Sequence, residues 1–173
     1  MTSGLPQAGL RVSLRRVRPD GAAGDLVGFV SAADPARVVL RDRSGQVHNV
    51  PWSRVLAWRP VGVARGRDPV RAPRELLAEL AGEAGVAGRV FVARLCDLLD
   101  GRPPRPLGPV GCPPPHPAVL RAQWVTTDGL GDLLGVAWWA SHADARSIQV
   151  RTSDDAVAAR LAELGFTELA GRA

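Results

Sequence analysis

Three groups of residues have types and spacing suited to chemistry. The first is Thr127-Asp128-Gly129-Leu130-Gly131, placed between an apolar segment with β character and the apolar run DLLGVAWWASH. Glycines at such a junction let the backbone approach an anion while unpaired N–H groups at a helix start face it, so the turn is a candidate pyrophosphate cradle. The second is Arg11, Arg15, Arg16 and Arg18, with Trp52 and Trp58 downstream. These supply cations for phosphate pairing and rings for stacking on bases, although both tryptophans also suit a core. The third group is isolated: His48, His116, Cys96 and Cys112. Neither imidazole has a partner at short spacing. With no CxxC and no histidine pair at ligand spacing, the cysteines predict neither a disulfide nor a zinc site.

The elements that must position these groups fall into two series. Leu10, Val12, Leu14 and Val17 alternate with polar residues as in a half-buried strand. DLVGFVSAA, ARVVLRD, QVHNV and RVLAWRP follow, separated by turn residues at Pro19 to Gly24, Asp34-Pro35, Ser44-Gly45 and Pro51 to Ser53. Five short strands in about 50 residues predict a small SH3-like β-barrel over residues 1–62.

Beyond a linker at Val61 to Pro73, RELLAELAGEAG reads as an amphipathic helix with Leu76, Leu77 and Leu80 on one face and Gly85 as its stop. The β-branched and aromatic start of RVFVARLCDLL favours a strand, and a helix from Phe91 to Leu99 fits nearly as well. Asp100 to Pro117 contains eight prolines and predicts a loop or extended segment, which leaves 63–118 without an assigned fold. From Val119, VLRAQWVTT reads as one strand, DGLG as a turn, DLLGVAWWASH as a helix and RSIQVRT as a strand. Asp154 then caps a helix carrying Val157, Leu161 and Leu164 on one face, and FTEL begins a last strand within a unit at 119–173.

Composition narrows the function classes. The chain has 173 residues and a net charge of +5, and all its Lys-plus-Arg content is arginine. Residues 1–62 hold nine arginines against four aspartates, a net +5, whereas the remainder balances at zero. The absence of lysine and tyrosine beside abundant Ala, Gly, Pro and Arg is the mark of GC-rich coding, so location of the charge informs more than its total. The N-terminus lacks a signal-peptide pattern and no run reaches the ~20 apolar residues of a membrane span, which predicts a cytoplasmic protein without a membrane partner.

Residues 119 to 170 resemble the carboxy-terminal half of a GNAT-type N-acetyltransferase: TTDGLGDLL is similar to its acyl-CoA pyrophosphate loop, and IQVRTSDDAVAARLAELGFTE to the following strand and helix. RVSLRRVRPDG and DLVGFVSAADPARVVLRDRSGQVHNVPWSRVLAWRPV resemble the SH3-like barrel that precedes the acetyltransferase domain in an actinobacterial GNAT family. The resemblance implies an α+β protein, a barrel followed by a reduced GNAT-like α/β domain, that binds acetyl-CoA as cosubstrate and transfers acetyl to an amine on a protein or small molecule. Trp124, Val125 and Thr126 would pair with the pantetheine arm, and Thr127, Gly129, Leu130 and Gly131 would hold the pyrophosphate, with Asp154 where the family has Asn.

Two departures point to a pseudo-enzyme. Thr126 and Asp128 replace a loop pattern that favours positive or neutral side chains, and Leu161 stands where the family's tyrosine protonates the leaving thiolate. No catalytic residue is assigned. Trp138-Trp139 suits a core or a homodimer interface, or else the lining of an acyl pocket, and the alternative expectation for the whole chain is a non-catalytic binding protein whose basic barrel contacts nucleic acid or a protein.

Overall fold

The computed structural model describes residues 4–106, 108 and 112–169. It is an α+β protein with two mostly antiparallel sheets, and it divides into two compact units. Met1–Gly62 and Arg102–Cys112 form one, while Val63–Gly101 and Pro113–Ala173 form the other, so the prolines of the Asp100 to Pro117 stretch are shared between them.

In the first unit, β1 (Arg11–Val17), β2 (Ala23–Ala33), β3 (Arg37–Asp42), β4 (Val47–Pro51) and β5 (Val55–Pro60) form one antiparallel sheet in the order β4-β3-β2-β1-β5. All five strands lie on the segments that the alternation from Leu10 and the intervening turn residues predict. Alternation turns Val12 and Leu14 inward, onto Leu26, Val30, Val38, Leu40 and Val50, and each such buried side chain contributes about 1.5–3 kcal/mol. Trp52 and Trp58 pack against this cluster, which settles them as partly buried core residues. A short 3₁₀ turn at Trp52–Arg54 sends the chain back to pair β5 with β1. The edges, β4 and β5, are paired on one side only, so the sheet is open and the expected closed barrel does not form among the described residues. Gly28 is needed for close approach, because a Cβ there would lie 2.5 Å from the Arg41 carbonyl oxygen across the ladder.

The second unit contains α1 (Arg74–Ala84), β6 (Arg89–Arg94), α2 (Leu95–Leu99), β7 (Ala118–Arg121), β8 (Trp124–Asp128), α3 (Leu133–His142), β9 (Ser147–Thr152), α4 (Asp155–Glu163) and β10 (Thr167–Leu169). Its sheet has the order β10-β6-β9-β8-β7, and only β8 and β9 run parallel. RVFVARLCDLL turns out to be both elements in succession: β-branched and aromatic residues build β6, and the leucines build α2.

VLRAQWVTT is not one strand. It is the hairpin β7–β8, turned at Ala122, which adopts φ 50°. Alanine is an unusual residue for that conformation, so no Gly or Asn signal marked the turn. The turn is held by tertiary bonds, since the Gln123 carbonyl accepts from the backbone N–H groups of Arg146 and Ser147. α3 is apolar on nearly all sides and is correspondingly buried, including Trp138 at 8% exposure. No described helix is long and apolar enough to cross a membrane.

Candidate functional site

β8 carries the residues expected to receive pantetheine, and both of its edges are occupied. Trp124 to Asp128 pair in continuous parallel register with Ser147 to Arg151 of β9, and Trp124 to Thr127 pair with β7 on the other side. The backbone groups of Trp124, Val125 and Thr126 therefore lie within ladders, and Val125 and Thr126 are buried. Parallel pairing brings the C-terminal ends of β8 and β9 to the same end of the sheet, so Asp154 follows β9 as the glycine turn follows β8.

The turn itself is filled by the chain's own groups. Gly129 takes φ 50°, and the Leu133 N–H donates to the Leu130 carbonyl at 3.0 Å. Asp132 caps α3, accepting from the Gly135 N–H at 3.0 Å through its side chain and from the Val136 N–H at 2.8 Å through its carbonyl. The signal for this cap is local, an aspartate directly before an apolar helical run.

His116 has a partner after all. Its Nε2 donates to Asp128 Oδ1 at 2.9 Å, and its ring lies against Gly131, where a Cβ would come within 2.4 Å. Thr127 Oγ1 donates to the Pro117 carbonyl at 2.7 Å, fastening the end of the proline-rich segment beside the turn. Asp128 and Asp132 place two carboxylates in the turn, which disfavours phosphate there. Asp154 acts as an N-cap, its carboxylate accepting from Ala156 N–H at 2.7 Å and Val157 N–H at 3.1 Å. Leu161, at the position of the family's tyrosine, is 0% exposed and belongs to the core. Glu163 and Glu168 are paired with Arg160 and Arg89, at 2.6 and 2.7 Å.

The second candidate is the outward side of the first sheet. Since Val12 and Leu14 point inward, Arg11, Ser13 and Arg15 point outward, and the register carries that side across the neighbouring strands. Arg59 stands opposite Ser13, Phe29 opposite Arg11, and Arg41 opposite Phe29, and this last part of the face is covered, with Phe29 buried and Arg11 and Arg41 half-buried. Arg11, Arg15, Arg41 and Arg59 thus share one face with Asp25, which pairs with Arg15 at 3.5 Å, both side chains being more than half exposed. An exposed pair of this kind is worth little and is readily exchanged.

Arg11 donates to the Gly62 carbonyl at 2.7 Å, and Arg41 to the Gly108 carbonyl at 3.4 Å. Of the predicted arginines, Arg16 follows a register shift after Arg15, and Arg18 lies beyond the strand near Asp20 at 3.8 Å, so neither extends this row. Neither tryptophan lies on it either: Trp58 stands opposite Leu14, and Trp52 Nε1 donates to the Asp34 carbonyl at 2.7 Å. Adding Arg102 and Arg105 brings the first unit to eleven arginines against four aspartates, a net +7, and leaves the second with eleven against thirteen acids, a net −2.

His48 is also partnered. Its Nε2 donates to Asp42 Oδ2 at 2.8 Å, while Asp42 Oδ1 accepts from Ser44 Oγ at 2.6 Å and from the Ser44 and Gln46 N–H groups. The His48 bond, then that from the Ser44 hydroxyl, lowers the Asp42 pKa to about 2, and the aspartate serves as the knot of the β3–β4 hairpin. Neither Cys96 nor Cys112 forms a disulfide, and no metal-binding cluster occurs among the described residues. Comparison with models of protein families, with curated proteins and with solved structures returns no match.

Proposed function

We propose that the protein is a non-catalytic nucleic-acid-binding protein, in which an SH3-like first unit contacts the phosphate backbone and a GNAT-like second unit serves as scaffold. The observation that carries this reading is one sheet face that bears Arg11, Arg15, Arg41 and Arg59, with Arg15 and Arg59 exposed and Arg11 and Arg41 half-buried, on a unit of net +7. Four cations on one sheet face match a short run of phosphates, and backbone contacts of this kind give affinity without sequence selection.

The test is the salt dependence of binding to a labelled 30-base-pair duplex, read by fluorescence anisotropy. Four phosphate contacts give a slope of log K against log salt of about −3.6, which is roughly a 150-fold loss between 50 and 200 mM salt. Arg15→Ala combined with Arg59→Ala is expected to reduce the slope to about −1.8 and weaken binding for every duplex sequence alike. No binding at 50 mM salt, or an unchanged slope in the double variant, refutes the reading.

A second reading, an acetyl-CoA-binding GNAT-type acetyltransferase homologue, is favoured by one observation: the parallel order β8, glycine turn, α3, β9. Against it stand the paired edges of β8, the capped start of α3 and the two carboxylates of the turn. Calorimetric titration separates the two readings, because a saturable heat with acetyl-CoA that is removed by Gly131→Glu supports the second and its absence supports the first.

A further inference from the structure

The feature that disfavours an anion at the end of β8 suits a cation beside it. A pocket of about 340 Å³ opens there within the second unit, bounded by residues 84–86 at the end of α1, by Pro114 and Pro117, by Val119, and by Asp128. Asp128 supplies the ionisable side chain of this lining. α1 supplies its C-terminal end, the negative end of the helix dipole, where the Gly85 and Val86 N–H groups cap the Gly82 and Ala81 carbonyls and the last turn holds no basic residue.

The neighbouring guanidinium groups are engaged elsewhere. Arg121 is held by Glu79 at 2.6 Å and Glu83 at 2.8 Å. Arg151, opposite Asp128 in the β8–β9 register, directs a guanidinium nitrogen to the Leu77 carbonyl at 3.4 Å. His116 bonds Oδ1 of Asp128 and leaves Oδ2 for another donor. The rest of the wall is proline, alanine, glycine and valine, a surface for hydrocarbon rather than for charge.

We propose that this pocket binds a small organic cation, an alkylammonium or quaternary ammonium ion, held between Asp128 and the C-terminal end of α1. Its alkyl part lies against Pro114 and Pro117, and its charge faces the carboxylate. The site belongs to the second unit alone and stands independently of nucleic-acid binding by the first.

The test is a titration of the ¹⁵N-labelled full chain with n-butylammonium chloride, with sodium chloride at matched ionic strength as the control and inorganic phosphate as the opposite charge. Saturable shifts at the amides of 84–86 and 128–130, absent with either control, are the expected result. Asp128→Asn is expected to weaken binding at least tenfold. Ala118→Leu, which fills the pocket and keeps the carboxylate, is expected to do the same, and it decides the matter if Asp128→Asn loses its spectral dispersion. Shifts no different from those with sodium chloride, tighter saturable binding of phosphate, or full affinity in Ala118→Leu would overturn the proposal.

Discussion

Removing the charge of Asp42 while keeping its shape gives the sharpest test of how the first unit is held together. Asp42→Asn retains an oxygen for the Ser44 and Gln46 N–H groups but loses the anion that His48 and the Ser44 hydroxyl address. The folded-state carboxyl is lowered from 3.8 to about 2, a gap that corresponds to about 2 kcal/mol. The side chain is 20% exposed, so solvent screening reduces the expected contribution to about 1–2 kcal/mol. Because the folded pKa is depressed, the contribution is complete above the ordinary 3.8 and is lost as pH falls toward about 2.

Urea unfolding of the full chain, followed at the Trp52 indole N–H resonance in the first unit, measures the difference. Wild type is expected to exceed Asp42→Asn by about 1–2 kcal/mol at pH 6, by less at pH 3, and by almost nothing near pH 2. A difference of the same size at all three pH values would show that shape rather than charge supplies the stabilisation, and the assignment of the hairpin knot to the carboxylate would fail.

Two further outcomes follow from packing. Leu161→Tyr, which restores the family's acid in sequence, places a larger ring where exposure is 0% and is expected to cost about 1–3 kcal/mol by overpacking, with no acetyl transfer gained. An unchanged melting temperature together with acetyl-CoA-dependent acetylation of an amine would contradict it. Gly28→Ala puts a methyl 2.5 Å from a backbone oxygen of β3, so β2 and β3 must separate. Urea unfolding at Trp52 is expected to show a loss of about 1–3 kcal/mol, and a stability equal to wild type would mean that the ladder yields there without strain.

Alternation placed β1, where Val12 and Leu14 are buried and their neighbours are not, and turn residues between the remaining segments were enough to place the other four strands of the first unit. The caps at Gly85 and Asp154 were equally legible, since each depends on backbone groups within one turn. Ala122 shows the limit: a left-handed alanine carries no local signal, and the hairpin it turns is held by bonds from Arg146 and Ser147, more than twenty residues away. His48 and His116 looked isolated for the same reason, as their carboxylate partners lie six and twelve residues off and reach them only once strands and turns are formed.

The sequence by itself determined the chemistry available: arginine as the cation, no tyrosine to act as an acid, and a glycine turn between a strand and a helix. Only the tertiary structure decided which of these groups meet. Register gathered Arg41 and Arg59 beside Arg11 and Arg15, because pairing across strands is a long-range choice that composition does not encode. It also closed the glycine turn with His116, Asp128 and Asp132, converting a local pattern suited to phosphate into a carboxylate-bearing corner beside a mostly apolar pocket.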